Sequence, residues 1–168
     1  MLAFSCKKKE CDNPDVVDGI NLTELPPATM TGANTMGCLI NGEVWLPLSK
    51  NILGDLVYDI NFSVTSVDQG GVSVQAHRKY DDFYDRMSIG AEEAVDVGIF
   101  AIPSWINEYL DVNSNCGYFD LDSTYNNFIE ITKLDHNEEI VSGLYQMRVV
   151  NDECDTLTIT QGRFDLSP

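Results

Sequence analysis

Tyr58-Asp59-Ile60-Asn61-Phe62-Ser63-Val64-Thr65, then Asp68-Gln69-Gly70-Gly71, then Val72-Ser73-Val74-Gln75-Ala76-His77 is the stretch on which the fold turns. Tyr58, Ile60, Phe62 and Val64 alternate with polar neighbours, and after the glycine-rich break Val72, Val74 and Ala76 alternate with Ser73, Gln75 and His77. Successive side chains of a strand point to opposite faces, so period two on both sides of a turn predicts an antiparallel hairpin with one wet face. Upstream, Asn41-Gly42 separates Gly37-Cys38-Leu39-Ile40 from Glu43-Val44-Trp45-Leu46. Asn-Gly tolerates the positive φ angles of a type I′ turn, which predicts a second hairpin. Downstream, Ile129 and Ile131 alternate with Glu130 and Thr132, and the loop 135–138 leads into a strand through Gly143, Tyr145, Met147 and Val149.

The last strand carries a further expectation. Its apolar positions are odd at Leu157 and Ile159 but even at Phe164 and Leu166. One extra residue must enter between the pairs if both are to face the core, and Gln161-Gly162 is where a β-bulge would supply it. No helical period is sustained; 80–87 and 104–110 are the two stretches where a short helix fits. The sequence therefore predicts an all-β, antiparallel β-sandwich or open barrel with at most one or two short helices.

Composition sets the rest of the frame. A chain of 168 residues is expected to form one domain that buries about 70% of its unfolded surface. Seven Tyr, seven Phe and two Trp supply the large apolar groups that disordered acidic chains lack. With 27 acidic against 10 basic residues the formal charge is −17, and three of the ten are Lys7, Lys8 and Lys9. Nucleic acid is excluded as a partner, because binding it depends on Lys and Arg neutralising phosphates. No apolar run approaches the roughly 18 residues a membrane-spanning helix needs.

Met1-Leu2-Ala3-Phe4-Ser5-Cys6 looks like the end of a bacterial lipoprotein signal peptide, in which an apolar run and a small residue precede a Cys that is acylated. The resemblance implies lipid attachment at Cys6; the plain alternative is a frayed terminus with a free thiol. Residues 7–33 hold Pro14, Pro26, Pro27 and several Gly, Asn, Asp and Thr with no apolar period, and read as a flexible tether. At ~3.4 Å per extended residue it reaches at most about 90 Å. The expected organisation is thus 1–6 signal remnant and lipid-attachment Cys, 7–33 tether, and 34–168 a single β domain. Lys7-Lys8-Lys9-Glu10 is not an acidic run of the kind associated with surface export, which favours the periplasmic side of the outer membrane.

Beyond Cys6 and Cys11, which falls in the tether, the cysteines are Cys38, Cys116 and Cys154. They lack the C-x-x-C spacing of a zinc ribbon or thioredoxin-like pair. An exported compartment permits disulfides, so one bridge among these three is expected, with its pairing open and the fully reduced, buried state as the alternative.

Leu25-Pro26-Pro27-Ala28-Thr29, followed by Thr31-Gly32-Ala33-Asn34-Thr35-Met36-Gly37-Cys38-Leu39-Ile40-Asn41-Gly42 and Trp45, resembles the opening of an uncharacterised Bacteroidota lipoprotein family, a domain of unknown function. Ile131-Thr132-Lys133-Leu134-Asp135, the stretch 140–145 and the stretch 158–165 are similar to its closing pattern, with Leu144-Tyr145 departing from the usual Thr-Phe. The two blocks cover about half the chain. The resemblance implies an envelope-facing β-rich body on a lipid anchor and brings no activity with it.

Sites of known chemistry find little support. Only His77 and His136 are present, on a polar strand face and in a turn, without the spacing of H-E-x-x-H. The serine-hydrolase elbow, the phosphate-binding loop and the dinucleotide glycine pattern are missing. Asp120 and Asp122 occupy positions 1 and 3 of an EF-hand-like loop, but Tyr125 stands where Gly is required and Glu130 falls one residue early. A calcium site built from carboxylates of separate loops is weighed against a solvated acidic surface, and the solvated surface is expected; no cofactor is. Asn21-Leu22-Thr23 and Asn61-Phe62-Ser63 fit the N-glycosylation pattern, and Asp122-Ser123-Thr124 and Asp155-Thr156-Leu157 a short O-glycosylation pattern. The most suggestive surface is Tyr80, Phe83 and Tyr84 interleaved with carboxylates, together with Trp105 and Tyr109. Rings can stack on sugar faces while carboxylates accept from hydroxyls, which makes a platform for a glycan or an envelope protein; the plain alternative is that the rings close the core. The expected function is that of a non-enzymatic envelope lipoprotein with a binding or structural β domain. The alternative is an exported glycan or peptide hydrolase using a carboxylate pair.

Overall fold

The computed structural model describes residues 15–65, 70–80, 83–103, 108–111 and 116–168. Fifteen strands are found there, and no helix. In chain order they begin with β1 (Val16–Val17), β2 (Ile20–Asn21), β3 (Thr35–Ile40), β4 (Glu43–Trp45), β5 (Leu48–Lys50), β6 (Leu56–Tyr58) and β7 (Ile60–Thr65). The middle of the chain forms β8 (Gly71–Tyr80), β9 (Phe83–Glu92), β10 (Gly98–Ala101), β11 (Glu108–Asp111) and β12 (Gly117–Leu121). The last three, β13 (Phe128–Asp135), β14 (Ile140–Asn151) and β15 (Cys154–Leu166), include the two longest.

The fold is all-β, an open half-barrel. One curled sheet runs β4-β3-β15-β14-β12-β11-β9-β8-β5-β6, with β13 on β14, β10 on β13 and β7 on β8, while β1 and β2 form a separate ribbon. Every pairing is antiparallel except the single contact of β5 with β8. The predicted hairpins form as read. Ile60 lies opposite Ala76 and Phe62 opposite Val74. Asn41 and Gly42 take φ of +51° and +91° between β3 and β4, the left-handed pair a two-residue turn demands. The bulge falls where the parity break placed it: opposite β3, the register jumps from Thr160 to Arg163, and Gln161 has φ +51°. Ile159, Phe164 and Leu166 are consequently all buried.

The two stretches where a short helix fits turn out differently. Of the stretch 80–87, Tyr80 ends β8 and 83–87 open β9, and Glu108–Asp111 is β11; 81–82 and 104–107 lie outside the described residues. Asp85, Met87, Ile89 and Ala91 share one buried face of β9, and pairing of β9 with β8 and β11 outweighs the weak local helical tendency.

The inward faces converge on one core of Met36, Cys38, Trp45, Val74, Met87, Ile129, Tyr145, Met147, Ile159 and Phe164, among others. Gly143 permits the tightest approach within it, since a Cβ there would stand 2.4 Å from the Glu130 carbonyl oxygen and 2.6 Å from the Phe164 ring. Leu46, Leu48 and Leu56 form a second, smaller cluster, onto which Ile20, Leu22 and Leu25 pack. Residues 15–33, the described part of the stretch read as tether, thus include a strand ribbon and apolar contacts with the body.

Cys116 and Cys154 are joined by a disulfide with Cα atoms 5.8 Å apart, and Cys38 is free and buried. Burial pushes the Cys38 thiol up to about 12, which keeps it protonated and unreactive. The bridge closes a sequence separation of 38 residues, from the residue before β12 to the first residue of β15. In the chain-entropy view such a loop restricts the unfolded state by roughly 3 to 4 kcal/mol. Cys116→Ser with Cys154→Ser is expected to lower unfolding stability by that amount in urea titration.

Candidate functional site

Two buried carboxylates organise the polar interior. Asp85 faces inward on β9, opposite Arg78 on β8, because residues paired across strands share a face. Its oxygens accept from Arg78 Nε at 3.0 and 3.1 Å, from the Tyr109 hydroxyl at 2.9 Å and from Trp45 Nε1 at 3.0 Å, and Arg78 adds a second guanidinium contact. Burial, then the charge of Asp85, holds the Tyr109 phenol protonated far above the ordinary tyrosine value. Trp45 sits on an edge strand, so this hub ties that edge across the interior to β8, β9 and β11.

Asp165 on β15 is the second hub. It accepts from the Thr29 hydroxyl at 2.6 Å, the Ser142 hydroxyl at 2.7 Å and the amides of Thr31, Gly32 and Ala33 at 3.0, 2.8 and 3.2 Å. Asn34 and Ser167 extend the clasp, with the Ser167 amide donating to Asn34 Oδ1 at 2.8 Å. Burial alone would raise the Asp165 pKa, but Thr29, Ser142, Thr31 and Gly32 together outweigh it and hold the carboxyl well below the usual range.

The accessible carboxylates lie elsewhere. A cavity of about 630 Å³ is floored by Ile40, Tyr109, Phe119 and Leu157, with Asp111, Asp152, Glu153 and Asp155 on its lining. Cys116 and Cys154 also line it, so the disulfide braces its wall. Tyr109 serves both features: its ring packs on Phe119, centroids 5.9 Å apart, while its hydroxyl reaches back to Asp85. A second cleft, about 390 Å³, lies between Phe62 and Val64 of β7 and the 135–139 turn with His136.

Of the aromatic residues singled out in the sequence, Tyr84 and Tyr109 are the two whose side chains are described, and these two do not share a surface. Tyr109 is buried among core residues, whereas Tyr84 is exposed with Lys79 Nζ 5.7 Å from its ring centre. Tyr109 lies opposite buried Met87, so the two rings occupy opposite faces of the sheet. Trp105 and Cys6 lie outside the described residues, as do the side chains of Tyr80 and Phe83. His77 Nδ1 is 3.6 Å from Asp59, a surface pair. Asp122, the third position of the EF-hand-like loop, is held by Arg148 Nε at 2.7 Å and by the Thr124 amide and hydroxyl. Thr124, and after it Arg148, lowers its pKa. Among the described residues no three His, Cys, Asp or Glu side chains group as a metal site.

Sequence reasoning missed both carboxylate hubs and the acid-lined cavity. The parity of Asp85 with Met87, Ile89 and Ala91 was an available signal for the first. Phe164-Asp165-Leu166, an acid between two core residues near the end of the last strand, was a weaker one for the second. Searches against family models, curated proteins and solved structures returned no match.

Proposed function

We propose that this chain is an envelope lipoprotein, anchored through Cys6 on the periplasmic side of the outer membrane, whose β-body is a non-enzymatic binding module for a basic, apolar segment of an envelope protein. The observation that carries the binding reading is the division of labour among the acids. Asp85 and Asp165 are saturated by internal donors, while Asp152, Glu153 and Asp155 stand exposed beside an apolar floor. An apolar floor rewards burial of a Leu- or Met-sized side chain, and the surrounding carboxylates favour a Lys or Arg beside it. Acid–base hydrolysis makes a different demand, two carboxylates at fixed separation with one of them made basic or acidic by its surroundings.

Fluorescence anisotropy with a labelled peptide of alternating Lys and Leu tests this directly. Saturable binding is expected, weakened about tenfold by raising the salt from low to several times physiological strength. Asp152→Asn with Asp155→Asn should weaken it about threefold to tenfold, in keeping with partly exposed charge pairs. Absence of saturable binding, or cleavage of the peptide or of a peptidoglycan fragment by the intact protein, overturns the reading, and cleavage selects the hydrolase alternative.

A further inference from the structure

Large apolar side chains at full exposure need a reason, and the β5–β6 hairpin presents two in succession. Ile52 and Leu53 stand at its tip with relative exposures of 102% and 81%, the highest among the exposed large hydrophobic residues. The tip is a built turn. Asn51 Oδ1 accepts from the amides of Leu53 at 2.9 Å and Asp55 at 3.0 Å, the Asn51 amide donates to the Asp55 carbonyl, and Gly54 closes the loop at φ +92°. The backbone is therefore held in the shape that projects both side chains outward, and neither can fold back onto the core without breaking these bonds.

The place of this tip in the fold says what it meets. The Leu56 amide donates to Asp18 Oδ2 at 2.7 Å, and Ile20, Leu22 and Leu25 pack on the small cluster beneath β5 and β6. The hairpin thus shares a lobe with the first described residues of the chain. Eight residues separate Cys6 from Asp15, a span of at most about 30 Å when extended. The same lobe also exposes Val16, Val17 and Val57.

We propose that Ile52 and Leu53 insert into the interfacial region of a lipid bilayer and fix the orientation of the body against the membrane, as a second contact beside the anchor. This deepens the reading of the chain as a lipoprotein and rests on it for the choice of partner. One acyl site and a short leash bring the hairpin within reach of the surface, and two buried aliphatic side chains add affinity in proportion to the apolar area they remove from water. The many carboxylates of the chain favour a zwitterionic surface over an anionic one.

The test separates the tip from the anchor. The full chain carrying an N-terminal histidine tag is held on phosphatidylcholine vesicles that contain a nickel-chelating lipid, so attachment no longer depends on acylation. With Leu53→Trp, brominated phosphatidylcholine is expected to quench the new emission, and with Ile99→Trp, placed on β10 at another exposed aliphatic position, it is not. Without chelating lipid, Ile52→Ser with Leu53→Ser should lower vesicle partitioning about tenfold to a hundredfold, the ratio expected from losing one to two buried aliphatic side chains. Unquenched Leu53→Trp on tethered protein overturns the inference. Radiolabelled fatty acid that fails to enter Cys6 in cells overturns the lipoprotein reading instead and leaves the vesicle result to stand by itself.

Discussion

Asp165→Ala is expected to destabilise the fold by about 5 kcal/mol, read as a shift in the urea midpoint followed by tryptophan fluorescence. The carboxylate accepts from three backbone amides and from the hydroxyls of Thr29 and Ser142 while 1% exposed. Hydrogen bonds to a charged group are worth about 1.5–3 kcal/mol each, and every donor left buried and unpaired adds its own desolvation cost. Water entering the opened 29–33 segment recovers part of this, which is why the expectation stays well below the simple sum. Asp165→Asn keeps the shape and two acceptor lone pairs, and should cost about half as much. The two variants also differ from the wild type in their response to acid. The folded-state pKa is lowered, so the contribution is fully present above the ordinary carboxylate value of about 3.9 and is lost as pH falls below it. Wild-type stability should therefore decline steeply below about pH 4, and Asp165→Asn should decline less over the same range.

A loss of similar size is expected for Asp85→Ala, again about 5 kcal/mol. Removing the carboxylate takes its ion pair from the Arg78 guanidinium, whose side chain is only 19% exposed, and leaves Trp45 Nε1 and the Tyr109 hydroxyl without this acceptor. Breaking one side of a buried ion pair typically costs about 3–5 kcal/mol, because the remaining charge loses the counter-charge that offset its desolvation. Replacing both partners by apolar groups removes that penalty. The double variant Arg78→Met with Asp85→Leu should accordingly be at least about 2 kcal/mol more stable than the sum of its single variants predicts. Strict additivity in thermal and urea unfolding would mean that the pair is not coupled, and the hub would lose its place as the link between the β4 edge and the sheet interior.

Much of the fold was legible because period two is a local signal. The alternation from Ile60 to Ala76, the Asn41-Gly42 turn and the parity break at Gln161 each depend on fewer than 20 consecutive residues, and each forms as read. The candidate site was less legible for the opposite reason. Asp165 meets Thr29 across 136 residues, and the acid-lined cavity draws on β3, β11, β12 and the β14–β15 turn, so neither exists in any window of sequence. Composition could not separate structural from accessible acids, since 27 of them share one formal charge and only packing distinguishes Asp85 from Asp152. Tyr109 was ambiguous because an aromatic beside carboxylates reads both as a ligand-facing ring and as a core ring with a buried acceptor, and it lines the acid-rimmed cavity while its hydroxyl bonds Asp85. Which of three cysteines pair was likewise a question of three-dimensional distance.

The position of the last strand has a consequence for how the chain comes to its shape. β3 is hydrogen-bonded to β15 over residues 35–40, yet β15 is made more than a hundred residues later. A polypeptide threaded through a secretion channel from its N-terminus would deliver β3 long before the strand that flanks it, and the sheet could not assemble across that gap until the final segment had emerged. Such long-separation pairing slows folding. On the proposed route of export, the delay would suit a precursor that stays unfolded for transport and acquires its architecture only on the far side.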